Sequence, residues 1–209
     1  GRRHWEFWQD GLRTAGVPVQ AVATDGPGHA TALARGADAH DTVVAVGGDG
    51  TINEVLDGVL QAGRPELSFG VLYSGTSPDF CRFHGIPTEP AAALRVLLAG
   101  HCRPVDAVRI RYQARDGAPL TAHFGCSTNI GLGAAVARTA NRLRPWLGDH
   151  AGTGLAVLRA LLTEPRPTLE LEADGTPLRL PAVNNLCVMK NPYIASGMRL
   201  RSDLRPDDG

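Results

Sequence analysis

Lysine is nearly absent from this sequence: Lys190 is the only one, and every other basic residue apart from histidine is arginine. A P-loop NTPase needs a lysine directly behind its glycines, so that class of nucleotide enzyme is excluded. Cysteine is scarce as well. Cys81, Cys102, Cys126 and Cys187 stand far apart and form no C-x-x-C pair. Zinc-site and disulfide-scaffold readings are therefore weak, and a reducing cytoplasm is the expected setting. Net charge is missing, since 21 basic residues face 21 acidic ones. Nothing pulls such a chain toward nucleic acid, and no nucleic-acid partner is expected. The opening "GRRHWEFWQDGL" has no apolar signal core. No apolar stretch approaches the roughly 20 residues that cross a bilayer, so any membrane contact is expected from the surface. There is no internal repeat and no low-complexity tract.

Glycine is abundant, and it is concentrated where it should weaken structure. "VAVGGDGTINEVL", Val44 to Leu56, ends a buried apolar run in Gly47, Gly48 and Gly50 around Asp49 and then turns helical at once. Glycines that close together cost conformational entropy unless bare backbone is needed. At the carboxyl end of a strand, with a helix N-terminus behind it, bare backbone suits an anion. Asp49 would repel a lone phosphate; it makes sense as a holder of Mg²⁺, ribose or water, or as a proton acceptor. The plainer alternative is a glycine-rich turn that Asp49 caps. A second loop, "VLYSGTSPDF", repeats the plan of buried strand, Gly-Thr and acid, with Thr76 and Asp79 in the corresponding places.

Around these loops the first hundred residues alternate strand and helix. The helices are "RRHWEFWQDGLRTAGV", "GPGHATALARGAD", "TINEVLDGVLQAG" and "TEPAAALRVLLAGH"; a short helix is expected in "TSPDFCRFHGIP". Thr51 and Glu54 match a capping box. "PVQAVAT", "DTVVAVGG" and "LSFGVLYSG" read as strands. This grammar implies an α/β fold with a doubly wound parallel sheet. After "CRPVDAVRI" it changes to a mainly antiparallel β domain with an inserted helix. "VDAVRIRYQ", "LTAHFGCSTNIG", "TLELEAD" and "LRLPAVNNLCVMKN" are its strands, "DGAP" and "DGTP" its turns and "GTGLAVLRALLTEP" its helix. The expected division is 1–104 and 105–209.

"GGDGTINEV" followed by "GTSPDF" resembles the diacylglycerol kinase-type lipid kinases, relatives of sphingosine kinases and, more distantly, of NAD kinases. "TDGPGHATALAR", "PVDAVRI" and "NPYIASGMRLRSDLRPDDG" resemble further segments of that family in the same order. The resemblance implies ATP-dependent phosphorylation of a hydroxyl on a diacylglycerol-like or sphingoid lipid. It implies a nucleotide-binding domain over 1–104 and a lipid-substrate domain over 105–209. Thr24, Gly48, Asp49, Gly50, Thr51, Asn53, Glu54 and Thr76 would line the nucleotide site, and Asp49 and Asp79 would be catalytic, Asp79 facing the reacting hydroxyl. Asp106 would join a carboxylate and water network behind them. Asp208 would hold a structural Mg²⁺ with the backbone carbonyl of Arg205. The partner implied is a lipid substrate met by a cytoplasmic protein at the membrane surface, with a homodimer as the assembly to test. An NAD kinase-like enzyme with a soluble acceptor, and a nucleotide-binding homologue impaired in catalysis, are the alternatives.

The chain departs from the family pattern at Pro78, where the family has asparagine; proline removes that amide and a backbone N–H. Both ends also read as shorter than the family pattern, which begins with a further strand and continues past "DDG". Other residues carry less. Arg82 reads as a helix-surface arginine beside Asp79, and His29 as a surface histidine at a helix start. His101 and Cys102 are too few for a metal site. "STNIGLGAAVARTANRLRPW", with Gly131, Gly133, Arg138, Arg142 and Arg144, reads as a solvated face, or else as a surface for acidic lipid head groups beside an acyl cleft.

Overall fold

The computed structural model describes residues 4–38, 42–114, 116–194 and 198–208. Residues 1–3, Asp41, residues 195–197 and Gly209, included in the sequence segments above, lie outside these, as do the side chains of residues 141, 144, 145, 147, 149 and 150. Two compact units form: Gly1–Ser127 with Met189–Gly209, and Thr128–Val188.

The first unit runs α1 (Trp5–Thr14), α2 (His29–Arg35), β1 (Thr42–Gly47), α3 (Asp49–Ala62), β2 (Ser68–Tyr73), α4 (Asp79–His84), α5 (Pro90–Ala99), β3 (Val108–Gln113) and β4 (Pro119–Phe124). β1 and β2 are parallel, in register from Thr42 opposite Ser68 to Gly47 opposite Tyr73. Successive side chains of a strand leave opposite faces. Ala45, Val71 and Tyr73 enter one core with Ala30 and Ala34 of α2, Ile52, Val55 and Leu56 of α3, and Phe80 of α4. Val44, Val46 and Leu72 enter another with Trp8 and Leu12 of α1 and Ala93 and Leu94 of α5. Helices on both faces of a parallel pair are the expected α/β layering. α5 starts as its sequence dictates: Pro90 takes the first helical position, and the Glu89 carboxylate accepts from the amides of Ala91 and Ala92.

Two expectations fail here. "PVQAVAT" forms no strand: residues 17–24 have no regular structure, and Val17, Val19 and Val22 are exposed. Alternation suits a segment to a ladder, but a strand also needs a hydrogen-bonding neighbour, and this one has none among the described residues. Nor does the capping box at Thr51 form. α3 starts two residues earlier, at Asp49, with Gly48 as its cap and no side-chain cap bond. The Thr51 side chain is turned back on Gly47 instead.

The antiparallel hairpin of β3 and β4 belongs to the same unit. Buried Asp57 of α3 fastens it: Oδ1 accepts from the His123 amide at 2.7 Å and lies 3.0 Å from its Nδ1, and Oδ2 accepts from Gln61. The compact units therefore divide the chain at other places than the 104/105 boundary.

In the second unit, β5 (Ser127–Gly131) leads into α6 (Leu132–Thr163), then β6 (Leu169–Ala173), β7 (Thr176–Leu180) and β8 (Asn185–Met189). β5 pairs with β8, and β6 with β7. "DGTP" makes the turn it signals: Asp174 and Gly175 have φ of 50° and 75°, both positive as a two-residue hairpin turn requires. "LTAHFGCSTNIG" breaks at Gly125 and Cys126 into β4 and β5, and "LRLPAVNNLCVMKN" breaks into β7 and β8, with Ala182 at φ 51° between them. α6 is longer than the helix read from the sequence and breaks at Gly148 (φ 75°, ψ 171°). Two short strands, β9 (Tyr193–Ile194) and β10 (Met198–Arg199), return to the first unit, where β9 packs on α4.

Candidate functional site

Parallel pairing of β1 and β2 brings both glycine loops to one sheet edge. The Ser74 amide donates to the Gly47 carbonyl at 2.9 Å. Gly48 and Gly75 then meet backbone to backbone. A Cβ on Gly75 would lie 2.5 Å from Gly48 Cα and 2.7 Å from the Tyr73 hydroxyl, so only glycine fits. The Asp79 amide donates to Asp49 Oδ2 at 3.2 Å. Two acids thirty residues apart thus share one hydrogen-bonded unit. Gly50 is different: a Cβ there would meet nothing within 4 Å, its φ is not positive, and it is exposed in the first turn of α3. Its bareness satisfies no internal contact and leaves the helix N-terminus open to a ligand.

Asp49 is electrostatically poised. Burial raises its carboxyl to about 6. The charge of Asp79 adds to this, while the amides of Phe80 and Asp79 and the charge of Arg82 oppose it. Among the described residues its Oδ1 is buried without a hydrogen-bond partner, as are the Tyr73 and Ser74 hydroxyls. Each such orphan costs about 1–3 kcal/mol, so three around one loop call for polar ligand atoms. Burial also raises the Tyr73 hydroxyl and pushes the Cys81 and Cys126 thiols up to about 12, so those thiols stay protonated at neutral pH.

Asp79 is buried, and each of its carboxylate oxygens accepts a hydrogen bond. The Ser77 hydroxyl donates to its Oδ2 at 3.1 Å, and Arg82 Nη1 donates to its Oδ1 at 2.9 Å. Arg82 lies over the Tyr193 ring, 5.3 Å from its centroid. Asn191, wholly buried, donates from Nδ2 to the Asp79 carbonyl at 2.9 Å and accepts from the Tyr193 amide at 2.8 Å. Ser77, Asn191 and Tyr193 were not singled out from the sequence. Ser77 was visible there, two residues before the acid; Asn191 and Tyr193 arrive from more than a hundred residues away. Pro78 caps α4, and its carbonyl accepts from the Arg82 amide. The missing asparagine is thus offset by Ser77 and Arg82, which hold the Asp79 carboxylate.

A third group lies in the same unit. Lys190, 6% exposed, donates from Nζ to Asp106 Oδ2 at 2.8 Å and to Asp208 Oδ1. Asp208 Oδ2 accepts from the Arg205 amide at 2.9 Å, and the Asp106 amide donates to the Pro206 carbonyl at 2.8 Å. The Mg²⁺ that the resemblance implies at Asp208 and Arg205 does not fit this arrangement. Both carboxylate oxygens of Asp208 are engaged, one by an ammonium. No group of three His, Cys, Asp or Glu able to hold a metal occurs among the described residues.

Of the remaining residues picked from the sequence, Thr76 is exposed beside Gly75. Asn53 Oδ1 accepts from the Gly125 amide at 3.4 Å. Glu54 follows it on α3, where its carbonyl accepts from Thr31 of α2. Thr24 is exposed on the irregular segment before α2. His29 Nδ1 accepts from the Asp25 amide at 3.0 Å, a local helix-start contact. His101 and Cys102 are both exposed.

The family model described as the diacylglycerol kinase catalytic domain matches residues 1–110. Proteins named diacylglycerol kinase from Staphylococcus aureus, strains JH9 and Newman among them, are 42% identical over 98 residues. That stretch is 46% of this chain and 30% of the relative's own length. Among solved structures, a putative diacylglycerol kinase from Bacillus anthracis str. Sterne superposes with a TM-score of 0.65 at 25% identity. The superposition covers 96% of this chain and 68% of that one. A second structure under the same description gives a TM-score of 0.67 at 23% identity, covering 96% and 67%.

Proposed function

The chain belongs to the diacylglycerol kinase catalytic-domain family, and from that premise we propose that it transfers the γ-phosphoryl group of ATP to a hydroxyl of a diacylglycerol-like or sphingoid lipid. The observation that carries this reading is the junction of the two loops: Gly48 against Gly75, with the Asp79 amide on Asp49. Phosphoryl transfer asks mainly for positioning and charge stabilisation. The amides at the start of α3 and the open face of Gly50 receive the phosphates, with Thr51 and Thr76 beside them. Thr24, Asn53 and Glu54 complete the assigned nucleotide set. Asp49, whose Oδ1 is buried with no hydrogen-bond partner among the described residues, would hold a Mg²⁺ brought by the triphosphate, and that ion would supply charge neutralisation at the transferring group.

Asp79 faces the acceptor hydroxyl. As the hydroxyl oxygen bonds to the γ-phosphorus, the bond from that phosphorus to ADP breaks and the hydroxyl proton passes to the Asp49–Asp79 pair. We assign the nucleotide to residues 1–104 and the lipid acceptor to residues 105–209. Supplying γ-labelled ATP and Mg²⁺ with diacylglycerol, sphingosine or NAD tests this: label in a lipid supports the reading, and label in NAD alone overturns it.

The acceptor has to be reached at a membrane surface, and α6 is built for one. Its arm beyond Gly148 exposes Leu155, Leu158, Leu161 and Leu162, the last 78% exposed. Trp146, before the break, is 86% exposed. An open apolar groove of about 410 Å³ is lined by Leu143, Leu155, Leu158, Arg159, Leu162 and Thr163. Arg138, Arg142 and Arg159 are exposed on the same helix. Arg144, counted with them in the sequence, has its side chain outside the described residues. No helix among the described residues is long and apolar enough to cross a membrane. Leucine, tryptophan and arginine on one helix suit the interface of an anionic bilayer. A Leu158→Asp, Leu162→Asp chain is expected to bind vesicles containing phosphatidylglycerol at least about tenfold more weakly in sedimentation, since each leucine carries about 1.5–3 kcal/mol of transfer energy. Equal binding by both chains would remove α6 from the reading.

A further inference from the structure

We propose that the ammonium of Lys190 is a built-in cation standing where the family resemblance places a structural Mg²⁺, so that the Asp106–Lys190–Asp208 cluster folds without a divalent ion. The proposal concerns folding and does not depend on which reaction the chain performs.

The chain has one lysine in 209 residues, and it is buried between two carboxylates. A buried ammonium is tolerated only where opposite charge and hydrogen-bond acceptors compensate its lost hydration. Asp106 and Asp208 provide both: burial by itself works against the charged form, and the bonds from the two carboxylates outweigh it, keeping Lys190 above the ordinary lysine range. Lys190 also lowers the Asp208 carboxyl, with the Arg205 amide second. Elsewhere in the chain arginine does the work of basic residues, but its planar fork is ill suited to a point between two acids. A compact ammonium with three donors resembles a small metal ion more closely.

The position carries a structural consequence. The Asp106 amide on the Pro206 carbonyl and the Arg205 amide on Asp208 tie residues 205–208 to the segment before β3. Lys190 closes that tie, and its own amide donates to the Cys126 carbonyl at 2.8 Å. The next residue, Asn191, holds the Asp79 carbonyl. Lys190 is therefore a positioning residue: the charge it supplies anchors the strand end that braces Asp79.

The test is thermal melting of the whole chain without nucleotide or lipid, in EDTA and in 10 mM MgCl₂. The native chain is expected to melt at the same temperature in both, within about 1 °C. A structural Mg²⁺ held about a hundredfold tighter than 10 mM would raise the midpoint by about 5–10 °C, and that rise would overturn the proposal. Lys190→Met leaves two carboxylates facing each other. It is expected to melt on the order of 10 °C lower in EDTA and to recover part of that loss in Mg²⁺ as the ion enters the vacated position. A Lys190→Met chain as stable as the native one in EDTA, or one lowered with no recovery in Mg²⁺, counts against it. Where Lys190→Met folds in neither buffer, the native comparison decides alone. Phosphotransferase activity enters none of these readouts, so the lipid-kinase reading stands or falls separately.

Discussion

An Asp49→Asn chain is expected to lose phosphoryl transfer by about 10²–10⁴-fold while melting higher than the native chain at neutral pH. The two effects have one source. Burial holds the Asp49 carboxyl at about 6 against an ordinary 3.8. In the unfolded chain the group ionises near 4; in the folded chain it keeps its proton until about 6. The folded state thus binds the extra proton between these values, and stability falls as pH rises through that window and stays low above it. With allowance for the solvent that still reaches Asp49, the cost is on the order of 1–2 kcal/mol. Asparagine stays neutral, avoids that cost, and retains a carbonyl oxygen for the Asp79 amide. The gain should be roughly 2–8 °C at pH 7 and absent at pH 4.

His84 sharpens the test. It is buried, neither ring nitrogen has a hydrogen-bond partner among the described residues, and burial lowers it to about 4 from 6.5, with the positive charges of Arg103 and Lys190 adding to the shift. Here the unfolded chain binds the extra proton, so stability is lost as pH falls from about 6.5 toward 4. In the native chain the Asp49 and His84 slopes oppose each other across most of one window. Asp49→Asn removes the first and uncovers the second, so the variant should lose stability more steeply on acidification. Melting midpoints from pH 4 to 7.5 and rates of label transfer would check both parts. Full activity in the variant, or a lower midpoint than native at pH 7, would defeat the assignment.

What could be read from the sequence divides by the range of the interaction. The hairpin at Asp174–Gly175, the helix start at Glu89–Pro90 and the buried runs of β1 and β2 are local features, set by dihedral preference and side-chain period. The Gly-Asp-Gly and Gly-Thr loops were also legible, because a glycine cluster is costly unless a close approach requires it. Gly75 against Gly48 is such an approach. Partnership was not legible. Residues 17–24 have the alternation of a strand and no ladder to join among the described residues, and nothing near Asn53 in the sequence announces that its Oδ1 accepts from Gly125, 72 residues away. In the sequence Lys190 stands out only for what its scarcity excludes. Its bonds to Asp106 and Asp208 span 84 and 18 residues, and no local pattern announces such a bond.

A matched pair of glycine substitutions separates a ligand cradle from a mere tight turn. Gly50→Ala is expected to fold as well as the native chain. The new methyl meets nothing within 4 Å, φ is not positive, and alanine is favoured over glycine in a helix by up to about 1 kcal/mol. The same methyl stands over the amides that open α3, where a phosphate would approach, so ATP affinity should fall on the order of 10–100-fold. Gly75→Ala should fail for the opposite reason. Its Cβ would press to 2.5 Å from Gly48 Cα, and backbone cannot swing aside as a side chain can. Relief requires the two loops to part, at the expense of the Ser74–Gly47 and Asp79–Asp49 hydrogen bonds. Overpacking together with those bonds costs about 2–4 kcal/mol. Calorimetric titration with ATP and urea unfolding of both variants give the comparison. If the loops were only a glycine-rich turn, Gly50→Ala would bind ATP as the native chain does, because no internal contact there needs glycine. Stability kept and affinity lost at Gly50, against stability lost at Gly75, is the pattern that a phosphate cradle requires.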